Sequence, residues 1–194
     1  YIEEYEDQID IVRAHAVGAE NGLTVPAYME DVNSIDDLTD EANQTITSIE
    51  PGASLIDQAN DMLDIYPNLS EWDLQVSSTG AMLTALRQAM ANEEEIVITG
   101  WRPHWMFSEF DLKMLEDPRE AYGTGEELLT IARQGLKEEN PRAYEILENF
   151  SWTVEDMQQV MLYLQDDMSP SAAARKWLDE NPEKVEEWVQ TSEQ

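Results

Sequence analysis

The residues best suited to chemistry form one run, Ile98-Thr99-Gly100-Trp101-Arg102-Pro103-His104-Trp105-Met106-Phe107. It follows a short apolar stretch, Glu95–Gly100, that reads as a buried strand, so its rings lie in a proline-fixed loop at a strand end. Ligands of open α/β sheets bind beyond the carboxyl ends of the strands. Trp101, directly at that end, is expected to face a ligand cleft. Trp105, Met106 and Phe107 read as packing under the helix that follows. A second segment, Glu50-Pro51-Gly52-Ala53-Ser54-Leu55, is a turn leading from another strand into a helix. The first N–H groups of a helix lack internal acceptors and attract anions, with help from the helix dipole. Small residues at 52–54 let a carboxylate come close. Both segments follow strands of one parallel sheet and should therefore open at the same edge. An anion cradle in the turn from Gly52 through Ala53 to Leu55 and an indole face at Trp101 together suit a zwitterion. Its cationic end would be a methylated ammonium, which donates no N–H bond and is held by cation–π attraction of about 0.5–2 kcal/mol per ring. Micromolar binding requires about 8 kcal/mol, so one tryptophan is insufficient.

Other chemistries have little support. The 194 residues contain two histidines, His15 and His104, without ligand-like spacing, and no cysteine. A metal site, a disulfide or a histidine-based triad therefore lacks its parts. Phosphate-loop, dinucleotide and G-x-S-x-G signatures are absent from the sequence. No cofactor is expected, and an enzyme acting on small acids would have only His104 as a base. Forty-two acidic residues face 11 basic ones, for a formal net charge of −31. Such a surface repels phosphate backbones, which argues against a nucleic-acid partner. It reads as a solvated acidic shell, and in its sharper form as adaptation to high salt, where counter-ions screen like charges over a few ångströms. No stretch reaches the ~18 apolar residues of a membrane span. The opening Tyr1-Ile2-Glu3-Glu4-Tyr5 carries no signal peptide and reads as a cut inside a longer chain.

The elements that must position these residues follow from the hydrophobic rhythm. Ile2, Tyr5, Ile9 and Val12 have helical spacing. Ala14–Gly18 and Gly22–Met29 read as extended segments around a glycine turn, and Ser34-Ile35-Asp36-Asp37-Leu38 as a capped short helix. Strands are expected at Thr45–Glu50, Asp73–Ser77 and Glu95–Gly100. The helices between them use Leu55, Ala59, Met62 and Leu63, and then Met82, Leu83, Leu86 and Met90. This β-α-β-α-β order predicts a parallel sheet. Thr124-Gly125-Glu126-Glu127 reads as the cap of a helix through Leu128, Leu129, Ile131, Ala132 and Leu136. Further helices are expected from Pro141, Thr153, Ser169-Pro170 and Asn181-Pro182, with Trp177 and Trp188 in the core. A helical interaction module built from 124–191 is the reading that the strand-rich first half disfavours.

The run at 98–107, continued by Asp111-Leu112-Lys113-Met114-Leu115-Glu116-Asp117-Pro118, resembles the signature of the glycine betaine/proline betaine substrate-binding proteins of ABC importers. Gly22–Met29 with Asn33–Leu38, and Ser48–Ile56, are similar to it as well. The resemblance implies an α/β fold of the type II periplasmic-binding-protein clamshell class. One lobe, with a parallel-rich sheet flanked by helices, is nearly complete. The division it implies is 1–44 as a first-lobe remnant and crossover, 45–120 as the α/β ligand-binding lobe, and 121–194 as a C-terminal helical segment. It further implies Trp101 as one wall of an aromatic cage, the Ser54 and Leu55 N–H groups as carboxylate donors, and His104 as a residue that shapes the loop behind them. Family members often carry glycine where Ser54 stands; a backbone donor tolerates that change. Members also carry earlier segments with further cage tryptophans and a carboxylate-binding histidine. The chain begins just after the place of that histidine, and by itself is expected to bind betaine poorly. The implied function is capture of glycine betaine, or else choline, carnitine or trimethylamine N-oxide, for a membrane permease. The implied location is outside the cytoplasm, periplasmic or lipid-anchored.

Overall fold

The computed structural model describes residues 2–5 and 7–190. Tyr1, which opens both the expected helix and the expected first domain, and 191–194, which end the third, lie outside the described residues. The helices are α1 (Ile2–Tyr5), α2 (Ser54–Ile65), α3 (Thr79–Asn92), α4 (Met106–Glu109), α5 (Leu136–Glu139), α6 (Pro141–Asn149), α7 (Val154–Gln165), α8 (Pro170–Glu180) and α9 (Pro182–Val189). The strands are β1 (Ile9–Pro26), β2 (Thr45–Thr47), β3 (Asp73–Gln75), β4 (Val97–Arg102), β5 (Leu112–Met114) and β6 (Glu126–Arg133). The chain divides into two compact units, Glu20–Gly125 and Tyr1–Ala19 with Glu126–Gln194.

In Glu20–Gly125 the strand order is β3-β2-β4-β1-β5. β3, β2 and β4 run parallel, with Ile46 paired to Leu74 on one side and Val97 on the other. The α2 and α3 crossovers make that parallel pairing, as the alternating pattern predicts. β1 then joins antiparallel to β4, through Thr24 with Ile98 and Asn21 with Trp101, and to β5 through Thr24 with Met114. Residues 20–44 thus fold with 45–120, because β1 is a central strand of this sheet. Leu23, Val25, Ile46, Val97 and Ile98 are fully buried along the strands. Ala59 and Met62 of α2, with Met82 and Leu86 of α3, are buried at helical spacing. Each such large apolar side chain contributes about 1.5–3 kcal/mol on burial. Gly100 is required for close packing: a Cβ there would lie 2.2 Å from Thr24 Oγ1. The short helix at Ile35–Asp37 carries the expected capping box, Ser34 with Asp37.

The second unit corrects two sequence expectations. The helix expected over 1–12 is confined to α1, and Ile9 already begins β1, which runs without a break to Pro26 where two extended segments had been expected. Residues 126–133 form strand β6, not a helix: they pair antiparallel with β1, Ile131 facing Ile11 and Leu128 facing Ala16. Pairing across more than 100 residues outweighs the local capping pattern at 124–127. Three register shifts punctuate the ladder, one of them bracketing Gly18, whose φ of 88° suits glycine. The helices α6 to α9 start as the caps predict. Thr153 and Asp156 form a capping box, and Ser169 and Asn140 cap helices with proline at the first position. Their core is aromatic: Trp177 and Trp188 are buried and stack 5.5 Å apart, with Phe150 and Trp152 packed around them. Lys184 clamps Asp156 at 2.6 Å and holds its carboxyl below the usual range, against the opposing effect of burial.

Candidate functional site

The turn expected to form the cradle begins where β2 ends. Ser48, just past the end of β2, and Thr99, mid-strand in the adjacent parallel β4, are fully buried and joined by a 2.8 Å hydrogen bond between their hydroxyls. The segment that leaves β2, Ile49–Ala53, therefore departs at a fixed spacing from β4, whose last residues, Gly100–Arg102, run on past that bond. The turn at Pro51-Gly52 needs glycine for its φ of 93°, not for room, since a Cβ there would touch nothing. Ala53 is the N-cap of α2, at φ −74° and ψ 138°, and supplies no side-chain bond. Serine, threonine, aspartate or asparagine is the usual choice there because it satisfies one of the open donors. Among the described residues, the N–H groups of Ser54 and Leu55 have no acceptor, while that of Ile56 bonds to Ala53 O at 2.9 Å. The adjacent α3 contrasts with it. Ser78 accepts from Ala81 N–H, and Glu50 accepts from both Thr79 N–H (2.9 Å) and Thr79 Oγ1 (2.8 Å). Those bonds, led by the backbone one, lower the Glu50 carboxyl pKa. The nearest acidic side chain of the turn is thus committed to α3, and α2 keeps open donors.

Trp101 lies at the end of β4 and is half-buried. Its ring meets the imidazole of His104 edge-on, with centroids 4.6 Å apart and an interplanar angle of 66°. His104 is itself only 8% exposed, and its Nδ1 accepts the Met106 N–H at 3.3 Å, which leaves the proton on Nε2. Burial depresses its pKa from 6.5 to about 4, so the ring is neutral at pH 7. A neutral imidazole beside the indole does not repel a cation at the indole face. Trp105 and Met106 are buried, as expected, while Phe107 lies half-exposed beneath the Arg102 guanidinium at 4.4 Å. The Arg102–Pro103 peptide is cis.

Two residues that the sequence did not single out connect these parts. Asn21 stands directly across the β1–β4 ladder from Trp101, so the two side chains project to the same face. Asn21 Nδ2 donates to Gln58 Oε1 at 2.8 Å, and Gln58 is one helical turn beyond Ser54 on α2. Gln58 Nε2 donates in turn to Tyr122 O at 3.4 Å. The only sequence sign of this link is a polar interruption, Glu20-Asn21, within an otherwise extended segment. A cavity of about 370 Å³ lies beside Asn21, lined also by Glu20, Arg102, Lys113, Met114 and Asp117; Trp101 and Ser54 do not line it. Among the described residues, no group of three or more His, Asp or Glu is placed to hold a metal ion.

The fold is that of the α/β periplasmic binding proteins, with a mixed sheet flanked by helices. The chain belongs to the family described as the substrate-binding domain of ABC-type glycine betaine transport systems, whose model matches residues 1–180. It is 48% identical over 154 residues to the glycine betaine/carnitine transport binding protein GbuC of Listeria monocytogenes serotype 1/2a (strain 10403S), a match covering 79% of this chain and 51% of that protein. The chain therefore spans about half the length of this curated relative. Among solved structures it is similar to lactococcal OpuAC in its closed-liganded conformation complexed with glycine betaine. That match has a TM-score of 0.74 and 46% identity, and covers 97% of this chain and 74% of the other. It is also similar to an ABC-transporter choline binding protein in complex with choline, with a TM-score of 0.66 and 28% identity over 97% of this chain and 69% of the other.

Proposed function

We propose that this chain is the ligand-capturing part of an extracytoplasmic solute-binding protein that takes up glycine betaine, or a closely related quaternary-ammonium osmolyte, and presents it to an ABC-transporter permease. The observation that carries this reading is the uncapped start of α2, at Ser54 and Leu55, on a helix that the Asn21–Gln58 bond ties to the ladder position of Trp101. The two open amides match a carboxylate, and the indole matches a trimethylammonium group that cannot donate a hydrogen bond. GbuC is named for glycine betaine and carnitine, and the OpuAC structure holds glycine betaine; both ligands carry a carboxylate and a quaternary ammonium. The protein performs no catalysis in this reading: the one histidine beside Trp101, His104, is neutral, and its Nδ1 lone pair is engaged by Met106 N–H. No helix among the described residues is long and apolar enough to cross a membrane, and the permease is the membrane-bound partner.

The second reading is a choline binder, favoured by the choline-bound neighbour. Choline lacks a carboxylate, so the α2 amides would contribute nothing. Isothermal titration of the native protein with glycine betaine and with choline separates the two. Betaine binding at least about 10-fold tighter, as expected for a charge-assisted pair of amide bonds, supports the proposal. Equal or tighter choline binding overturns it.

A further inference from the structure

We propose that Asn21 and Gln58 are positioning residues that set the distance between the carboxylate cradle and the indole, and thereby the preference for ligands charged at both ends. This rests on the betaine-type reading above and names the device that would make it selective. The cradle belongs to a helix and the indole to a strand. Each is anchored in the unit by its own packing: α2 through Ala59 and Met62, β4 through Val97 and Ile98. The buried Ser48–Thr99 bond fixes the end of β2 to the middle of β4 but reaches no part of α2. The Asn21–Gln58 bond does reach it. At 2.8 Å it ties the ladder position of Trp101 to the second turn of α2, four residues past Ser54.

Three details suit a positioning role. The bond is part-buried, so water competes with it less than on an open surface. It is directional: Asn21 donates to Gln58, whose own amide nitrogen donates to the Tyr122 carbonyl, and Tyr122 N–H donates to Asp117 at 2.9 Å. The glutamine is thus held from both ends and cannot rotate without losing two bonds. Both side chains are also uncharged, in a chain where 42 of 194 residues are acidic. A carboxylate at either place would set a negative charge near the amides meant for the ligand's own carboxylate.

A ligand held at both ends is sensitive to the spacing of its two half-sites, whereas a ligand held at one end is not. The test uses Asn21→Leu and Gln58→Met, which keep the side-chain size and remove the bond, in the native protein titrated with glycine betaine and with choline. The expected result is a loss of about 10-fold for betaine, the size of one charge-assisted bond made poorly, with choline changed less than about 2-fold. The double swap Asn21→Gln with Gln58→Asn restores the combined reach and should recover part of the betaine affinity; its melting temperature guards against a fold defect in the single variants. Equal losses for both ligands, or no loss for either, overturn the inference while leaving the function standing. Failure of the unmodified full-length protein to bind either ligand overturns the inference and the function together.

Discussion

Replacing Ser54 with proline should remove one carboxylate donor while leaving α2 in place. Proline lacks the N–H, and the first helical position is where that loss costs a helix nothing, because no internal acceptor exists there. Ser54 occupies that position and its side chain is exposed, so the ring enters open space. The residue before a proline must be extended, and Ala53 already sits at φ −74° and ψ 138°. The Ile56 N–H to Ala53 O bond is untouched. Stability should therefore stay the same or rise by up to about 1 kcal/mol, since proline also restricts the unfolded chain. Binding should not stay the same. A hydrogen bond to a charged group is worth about 1.5–3 kcal/mol, which corresponds to a loss of about 10- to 150-fold for glycine betaine. Choline, without a carboxylate, should lose little. Ser54→Gly, which keeps the amide, should bind betaine within about 2-fold of the parent and so controls for steric changes in the turn. Calorimetric titration measures both ligands, and thermal melting measures the fold. Undiminished betaine binding by Ser54→Pro, with an unchanged melting temperature, would refute the assignment of the α2 start as the cradle.

Trp101→Ala should weaken betaine and choline alike, by about 2- to 30-fold for one aromatic face; titration of both ligands checks this, and a loss confined to betaine would be inconsistent with an ammonium on the indole. Acidification should destabilise the protein through His104. The unfolded imidazole titrates near 6.5 and the folded one near about 4, so between those values the unfolded chain binds a proton that the folded chain does not. Stability contributed by the neutral ring is fully present above 6.5 and falls as pH drops through that window, by at most about 3 kcal/mol. Denaturant melts at a series of pH values, compared with His104→Gln, isolate this effect from the many carboxylates. Gly100→Ala should lower stability by at least about 1–3 kcal/mol, because the added Cβ meets Thr24 Oγ1 at 2.2 Å and Thr24 is fully enclosed. A melting temperature within 1–2 °C of the parent, read against about 2–4 °C per kcal/mol, would contradict that packing.

The elements around the proposed cradle were legible because their signals are local. Pro51-Gly52 marks the turn, and the near-continuous apolar run of β4 marks a strand buried on both faces. The caps of α7 and α8 were legible for the same reason, since a serine or threonine hydroxyl and a residue two or three places on are enough to define a helix start. What could not be read is set by distant partners. Thr124-Gly125-Glu126-Glu127 looks like a cap until Ile131 finds Ile11 across a ladder closed by more than 100 residues. The continuity of β1 depends on β6 for its first half and on β4 and β5 for its second. Trp101 was singled out from its expected place at a strand end. Its contact with a buried, neutral His104 depends on the depth of the loop, which the spacing of the two residues does not encode. The Asn21–Gln58 bond joins residues 37 apart on a strand and a helix, and no periodicity announces it.

The most direct test is a crystal structure of the native protein with glycine betaine. The account predicts ligand carboxylate oxygens within about 2.7–3.2 Å of the Ser54 and Leu55 nitrogens, with the trimethylammonium within about 6 Å of the Trp101 ring centroid. A ligand seated elsewhere, for example in the 370 Å³ cavity beside Asn21, Arg102 and Lys113, with those amides unengaged, would contradict it.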